Sequence, residues 1–236
     1  MPNASARPSC GCSKRRPTRP DQTAQTPRDR GQHGEARANI LQPQQESSAM
    51  TGTTVASVIW HRLDRDGTDR CRLARLDEGW LIVGHARWDE AGETAALDYA
   101  LRCDAGWRCL SADVTGLHGA RPIACRIVRQ EEGFAIEGQA PVPGTDLDLG
   151  FTPAWMLVPL NRLDLPQARP FEIKTARLRA TDGGRLEPLG HSFARVREGM
   201  DHAIPALGRD ARLRLHESGF LIEDPGLWRG AVTPEG

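Results

Sequence analysis

The chain has 236 residues, 39% hydrophobic and 26% charged, enough for one globular domain of ordinary composition with length to spare. No run approaches the roughly 20 apolar residues that cross a bilayer as a helix, so no transmembrane segment is expected. Basic and acidic residues balance at 31 each, but the basic excess lies before Met50, and the weakly acidic remainder argues against nucleic acid as a partner.

Residues 1–49 are rich in Pro, Gln, Ser, Thr and Arg, and their only branched aliphatics are Ile40 and Leu41. Such a stretch buries too little apolar surface to offset its ordering entropy, and it reads as a disordered tail. Arg15-Arg16 matches the start of a twin-arginine export signal, but the apolar segment that must follow is missing. Cys10-Gly-Cys12 is one thiol pair without the second cluster that a structural metal site needs. The six cysteines follow no apolar leader, so reduced thiols and a cytoplasmic location are expected. Met50 directly precedes the first strand-like run and is a candidate natural start, with residues 50–236 forming one domain.

From Met50 onward, short alternating runs are separated by Gly, Asp and Pro, the pattern of antiparallel sheet. One hairpin unit recurs: residues 72–83 read RLARLDEGWLIV, 126–137 RIVRQEEGFAIE and 212–223 RLRLHESGFLIE. In each, glycine follows the first arginine by the same interval, and an aromatic and an isoleucine two apart share one face: Trp80 with Ile82, Phe134 with Ile136, Phe220 with Ile222. Further strands are expected over Val55–Arg62, Trp80–Trp88, Ala95–Cys103, Cys109–Leu117, Ala120–Arg129, Phe171–Ala180 and Glu187–Arg197. Cys103 and Cys109 flank a turn and face one another across it, as small buried hydrophobes.

Asp146 to Pro159 changes period midway. Asp146 and Asp148 alternate with Leu147 and Leu149, as in a half-buried strand with its carboxylates outward. Thr152-Pro153 then starts a short helix carrying Trp155, Met156, Leu157 and Val158, which Pro159 stops or kinks. Asp224-Pro225-Gly226 reads as a turn delivering Leu227 and Trp228 to the end of the fold.

No Gly-x-Ser-x-Gly elbow, phosphate loop, dinucleotide fingerprint or His-Glu-x-x-His segment occurs, so no cofactor or metal is expected. Histidines 61, 85, 118, 191, 202 and 216 lack ligand spacing and read as surface or turn residues. Asp146 and Asp148 read as solvated or arginine-paired rather than as an acid and base. Six tryptophans against one tyrosine is an unusual balance, because indoles suit places where an apolar body meets a polar edge.

Several segments, in order from Val58 to Arg229, resemble the putative glycolipid-binding family of bacterial proteins. They are Val58-Ile59-Trp60-His61-Arg62-Leu63, Leu97-Asp98-Tyr99 with Cys103-Asp104-Ala105-Gly106-Trp107, Asp146-Leu147-Asp148-Leu149-Gly150-Phe151-Thr152-Pro153, and Gly219-Phe220 through Pro225-Gly226-Leu227-Trp228. The resemblance implies a mainly β fold, a strongly curved antiparallel sheet in an open half-barrel with one or two short covering helices, similar to lipoprotein carriers. Arg197–Gly208 departs from it, replacing an expected regular strand. The implied function is non-enzymatic carriage of an amphipathic lipid, a glycolipid among the candidates, between the concave sheet and the Pro153–Val158 helix. Trp60, Trp107, Trp155 and Trp228 are the expected apolar wall, and Arg62, Asp148 and Arg229 the expected head-group contacts. The alternatives are an enzyme on a lipid-like or sugar-like substrate, with Asp146, Asp148 or His191 as acid or base, and an interaction domain whose own side chains fill the concave face. The intact mass of the natively produced protein is expected to correspond to a start at Met50; a species beginning at Met1 overturns that expectation.

Overall fold

The computed structural model describes residues 52–163 and 169–234. The expectations for the leading tail, for Cys10-Gly-Cys12 and for a start at Met50 lie outside the described residues. Seven strands come first: β1 (Thr53–Arg62), β2 (Gly67–Leu76), β3 (Gly79–Glu90), β4 (Glu93–Asp104), β5 (Cys109–His118), β6 (Arg121–Gln130) and β7 (Gly133–Ile136). After β8 (Asp146–Asp148) come a 3-10 turn (Pro153–Met156) and α1 (Leu157–Arg162). The chain then runs through β9 (Phe171–Arg179), β10 (Arg185–Val196), β11 (Gly199–Ile204), a 3-10 turn (Pro205–Leu207), β12 (Arg209–Leu215), β13 (Leu221–Asp224) and β14 (Trp228–Pro234).

All strands join one 14-stranded sheet in the order β7-β6-β5-β4-β3-β2-β1-β14-β13-β12-β11-β10-β9-β8. Neighbours are antiparallel except β8 and β9, which are parallel. The sheet is nearly closed and barrel-shaped. Its two ends are β7 and β8, and only residues 137–145 connect them, a span of at most about 36 Å even fully extended. Side chains lace the gap: Arg129 donates to the Thr145 carbonyl at 2.8 Å, Gln139 to that of Gly184 at 3.3 Å, and Arg121 to that of Thr181. The curved antiparallel sheet expected from sequence is thus present.

Period-2 alternation selects the inner face. Along β4, Ala95, Leu97, Tyr99, Leu101 and Cys103 are buried, as are Ala56, Val58 and Trp60 on β1 and Asp69, Cys71 and Leu73 on β2. All three recurring hairpins form. Gly79 and Gly133 follow the two-residue turns of the first two, and a Cβ there would sit 2.1 Å from the carbonyl of Cys103 or Val142. The third pairs differently. A register shift at Arg214/Leu215 buries Phe220 and Leu221 together and leaves Ile222 half-buried, so the expected sharing of one face by Phe220 and Ile222 does not hold. Cys103 and Cys109 are register partners, and Cys71, Cys103, Cys109 and Cys125 are buried free thiols.

The parallel β8–β9 pair explains the helical segment, because parallel neighbours need a crossover rather than a tight turn. That crossover passes through the concave face as a plug. Gly150, at φ 75°, turns the chain out of β8 while its N–H donates to Asp148 Oδ1 at 2.7 Å. Thr152 then caps the 3-10 turn, accepting from the Ala154 N–H at 3.1 Å, with Pro153 at the first helical position. Leu149, Ala154, Trp155, Leu157 and Val158 are each at most 3% exposed. At the centre of this packing lies one polar cluster. The Tyr99 hydroxyl donates to Asp69 at 3.0 Å, and the Thr152 hydroxyl donates to the same carboxylate.

Four expectations change here. Pro159 does not end the helix; it lies in the first turn of α1, where an amide donor is not required, and the helix runs on to Arg162. Asp146 and Asp148 do not face solvent; both are buried, Asp146 beneath Arg162 of α1 and Asp148 beside Arg177 of β9. Asp146 accepts from Arg162 at 2.6 Å. The segment after Arg197 is a regular strand, β11, although it contains Gly199. The space between helix and sheet is filled by the protein's own side chains.

Burial lifts the Asp69 carboxyl from 3.8 to about 6, against the lowering effect of its hydrogen bonds from Thr152 and Tyr99. The folded state therefore holds this proton more tightly than the unfolded chain. The stability so gained is complete below about pH 4 and is lost as pH rises through about 6. An Asp69→Asn variant is expected to gain on the parent as pH rises across that window, read from urea midpoints. Thr152→Ala removes both a cap and a buried hydrogen bond and is expected to cost about 1–3 kcal/mol, more above about pH 6, where the carboxyl it donates to is charged, than below.

Candidate functional site: an inner chamber and an arginine cleft

Seven successive strands each send a side chain to one place inside the barrel. Asp148 comes from β8, Arg177 from β9, His191 from β10, His202 from β11, Arg209 from β12, Asp224 from β13 and Trp228 from β14. The plug contributes Thr152, Pro153, Trp155 and Met156, and the space they line, open at the Leu207 side, is about 140 Å³. Alternate residues point inward; Asp148 and Arg177 are direct cross-strand partners, as are Asp224 and Trp228, whereas His191 and His202 are two residues out of register and the long arginine side chains reach across the remaining offsets. Phe193 is the cross-strand partner of His202, and the two rings stack at 4.4 Å.

The polar groups form two ion pairs and one imidazole chain. Arg209 pairs with Asp224, and Arg177 Nε lies 3.7 Å from Asp148 Oδ2. His191 Nδ1 and His202 Nε2 are 3.0 Å apart, and His191 Nε2 is 3.2 Å from the Thr175 hydroxyl and 3.7 Å from Asp148 Oδ2. Trp155 lies against His191, with ring centroids 4.9 Å apart. Burial dominates the proton affinities. It raises Asp148 to about 6, against the nearby Arg177 and the Gly150 N–H, and it raises Asp224 despite Arg209. It lowers His191 to about 4, helped by Arg177 and Arg209, and His202 to about 3, helped by His191 and Arg209. Both imidazoles are therefore neutral at pH 7.

A second cavity of about 240 Å³ shares Gly150 and Arg177 with the chamber. Its other walls are Arg62, Arg65, Trp88, Glu90, Leu149, Phe151 and residues 178–181. Arg62 grips Asp64 with two bonds of 2.9 and 2.8 Å and lies over the Trp228 ring at 4.8 Å. Arg65 donates to Glu90 at 2.6 Å, and Trp88 stacks on Phe151 at 5.5 Å. Beside these cavities three leucines lie on the barrel rim. Leu63 and Leu207 are 43% and 54% exposed, the Leu63 N–H donates to the Leu227 carbonyl, and Leu207 and Leu227 line the chamber.

Of the seven residues singled out in the sequence, Asp148, Trp155 and Trp228 line the chamber, and Arg62 lines the cleft. Trp60 is fully buried, donates to the Leu221 carbonyl at 2.7 Å and meets Phe220 edge-on. Trp107 stacks on Trp80 at 4.4 Å, and Trp80 lies about 27 Å along β3 from Trp88 of the cleft. Arg229 is exposed on β14, opposite Glu223 and His61 in register. Trp60, Trp107 and Arg229 line neither cavity. Sequence reading missed His202, Arg177, Arg209 and Asp224, and it wrongly assigned His191 and His202 to the surface; they are 0% and 1% exposed. The available signal was the spacing of His191 and Phe193, two apart on a strand, which places the imidazole on the core face. Among the described residues, no group of three or more His, Cys, Asp or Glu is arranged to hold a metal ion, and no helix is long and apolar enough to cross a membrane.

The architecture defines a class: a single-sheet, barrel-shaped β protein with a plug that leaves a small polar chamber and a cleft beside it. The sequence model of a family described as putative glycolipid-binding matches residues 57–230, and the chain belongs to that family. The fold is similar to the crystal structure of a DUF1089 family protein from Pseudomonas aeruginosa, with a TM-score of 0.59 and 20% identity over 68% of this chain and 91% of that one. No curated protein matches the chain.

The depressed imidazoles make a direct prediction. Their contribution to stability is complete above about pH 6.5 and is lost as pH falls toward 4 and then 3. In nitrogen-15 spectra of histidine-labelled protein at pH 5, two imidazoles are expected to remain neutral, and His202→Phe is expected to remove one of them. Uniform protonation near pH 6.5 would contradict the burial argument.

Proposed function

We propose that this protein binds an amphipathic glycolipid without altering it chemically, seating the head group in the arginine cleft and resting the alkyl portion on the leucine rim. The observation that carries this reading is the adjacency of two unlike surfaces. Arg62, Arg65, Arg177 and Arg179 surround Trp88 and Glu90 in the cleft, and Leu63, Leu207 and Leu227 lie at the rim. Guanidinium donors and a carboxylate acceptor suit hydroxyl and anionic head-group oxygens, and an indole supplies an apolar body with a polar edge.

Size argues for head-group recognition rather than engulfment. Each cavity, at about 240 and about 140 Å³, is smaller than the roughly 300–1,000 Å³ of a pocket that swallows a drug-sized ligand. The volume beneath the helix is occupied by Ala154, Leu157 and Val158, so a chain lying there would have to displace the plug. Leaving the alkyl part at the rim avoids that cost. Each methylene withdrawn from water there contributes up to about 0.8 kcal/mol.

Vesicles carrying a monohexosyl diacylglycerol are expected to bind the protein more tightly than phosphatidylcholine vesicles, and the recovered lipid is expected to keep its mass. Arg62→Ala combined with Arg65→Ala should weaken that preference by about tenfold or more, the loss of at least one charge-assisted hydrogen bond. Arg229→Ala, on the outer surface, should leave it unchanged. Equal binding to both vesicle types would overturn the proposal, and a changed lipid mass would favour an enzyme. Trp155→Ala is expected to destabilise the fold by about 3–5 kcal/mol, because its indole is part of the packed plug; thermal unfolding checks this separately from binding.

A further inference from the structure

The outer face of the sheet carries its charge unevenly. Across the adjacent strands β14, β1 and β2 the only carboxylate is Asp69, which points inward and is fully buried. Alternate residues there point outward: Arg229 on β14, Ile59 and His61 on β1, and Arg70 and Arg72 on β2, with Arg87 following on β3. Register sets them side by side, since Ile59 lies between Arg70 and Ala231, His61 between Arg229 and Thr68, and Thr68 beside Arg87. The side chains of Arg70, Arg72, Arg87 and Arg229 are exposed and have no hydrogen-bond, ion-pair or ring partner among the described residues. The acids that flank them are already engaged, Asp89 by Thr94 at 2.7 Å, Asp98 by His85 at 2.8 Å and Glu223 by Arg214 at 2.9 Å.

Such a patch is repulsive within itself. Arg70 and Arg72 are two residues apart on β2, about 7 Å along the strand, which is within the Debye length of roughly 8 Å at physiological salt. An opposite charge outside the protein relieves that repulsion, and since the rest of the body is weakly acidic, this face is where an anionic partner is drawn. What lies among the arginines selects the partner. Ile59 is 41% exposed between them, Val55 is 37% exposed further along β1, and Leu63 follows the same strand at the rim. Among the described residues of β14, β1 and β2, no Trp, Tyr or Phe is exposed to stack on a nucleobase. Guanidinium groups around single aliphatic side chains suit a lipid–water interface, where phosphates lie above hydrocarbon.

We propose that the outer face of β14, β1, β2 and β3 docks on an anionic phospholipid bilayer, with Arg70, Arg72, Arg87 and Arg229 meeting lipid phosphates and Ile59 resting between head groups. This goes beyond the glycolipid reading and does not depend on it, because Arg62 of the cleft is on the opposite face of β1. The two surfaces meet at one point. Leu63, on the rim, is about 13 Å along the chain from Ile59, so a bilayer lying on this face ends beside the cleft.

The test uses the whole chain and two kinds of vesicle free of glycolipid, phosphatidylcholine alone and phosphatidylcholine mixed with phosphatidylglycerol, with a random-sequence DNA duplex for comparison. The protein is expected to sediment with the phosphatidylglycerol vesicles far more than with the neutral ones. It should be released as salt rises toward about 1 M, where the Debye length falls to roughly 3 Å. Each arginine near an anionic surface contributes about fivefold in affinity, so Arg70→Gln combined with Arg72→Gln is expected to weaken binding about 30-fold. Both side chains are exposed, so the fold should stand. Arg185→Gln combined with Arg212→Gln removes the same charge from β10 and β12, where Asp182 and Asp201 pair with these arginines, and is expected to leave binding nearly unchanged. Equal loss in both double variants would mean that net charge alone acts and would overturn the proposal. Absence of binding to phosphatidylglycerol vesicles would overturn it as well, and binding to the duplex without binding to those vesicles would do so in favour of nucleic acid. Because these vesicles carry no glycolipid, and the glycolipid preference is read between neutral vesicles, the two proposals fail separately.

Discussion

The parallel pairing of β8 with β9 is the constraint on which the rest of the interior depends. Every other neighbour pair in the sheet is antiparallel, as in a meander whose inner face would otherwise have to be filled by strand side chains alone. One parallel pair requires a crossover, and this one passes through the concave side as Leu149–Leu163. A short helical segment has little stability of its own, so its burial against the strands is what keeps it formed. The polar start of the segment could not enter an apolar core unaided. The Asp69 carboxylate, with Tyr99 and Thr152 donating to it, supplies the partners that make the entry tolerable.

What the plug leaves unfilled is as informative as what it fills. Its aliphatic residues, Leu149, Leu157 and Val158, take up the apolar volume, whereas the seven strands from β8 to β14 turn charged and imidazole groups toward the remainder. Ionisable groups gathered in a barrel interior are costly unless they neutralise one another. Here each guanidinium is set near a carboxylate and the two imidazoles are uncharged, so the net field is small although the hydrogen-bonding capacity is large.

The strands and hairpins were legible in the sequence because they follow from local alternation and turn chemistry. The recurring Arg-to-Gly hairpins, the Thr152-Pro153 start and the Asp224-Pro225-Gly226 turn each have a cause within a few residues, and each forms, Leu227 donating back to Asp224 across the last. The site was only partly legible. Asp148, Trp155 and Trp228 drew attention through their motifs, but Arg177, His202 and Arg209 are single residues on unremarkable strands, brought together by register across neighbours. Asp146 and Asp148 are arginine-paired, one of the two readings the sequence offers, but their burial is not legible, because β8 alternates as a half-buried strand would. No local pattern records that a crossover further along the chain will cover its second face.

The pairing of β1 with β14 at the centre of the sheet has a consequence for synthesis. Val58 lies opposite Val232, so the first strand acquires its second neighbour only when the last one emerges from the ribosome. Until then the nascent meander presents an unpaired edge with apolar residues on one face, the arrangement most prone to wrong association between chains. Contacts of such large sequence separation also close slowly. Chaperone occupancy on translating ribosomes should therefore persist until the final strand is released, and a chain truncated before Trp228 should accumulate as aggregate rather than as a smaller barrel.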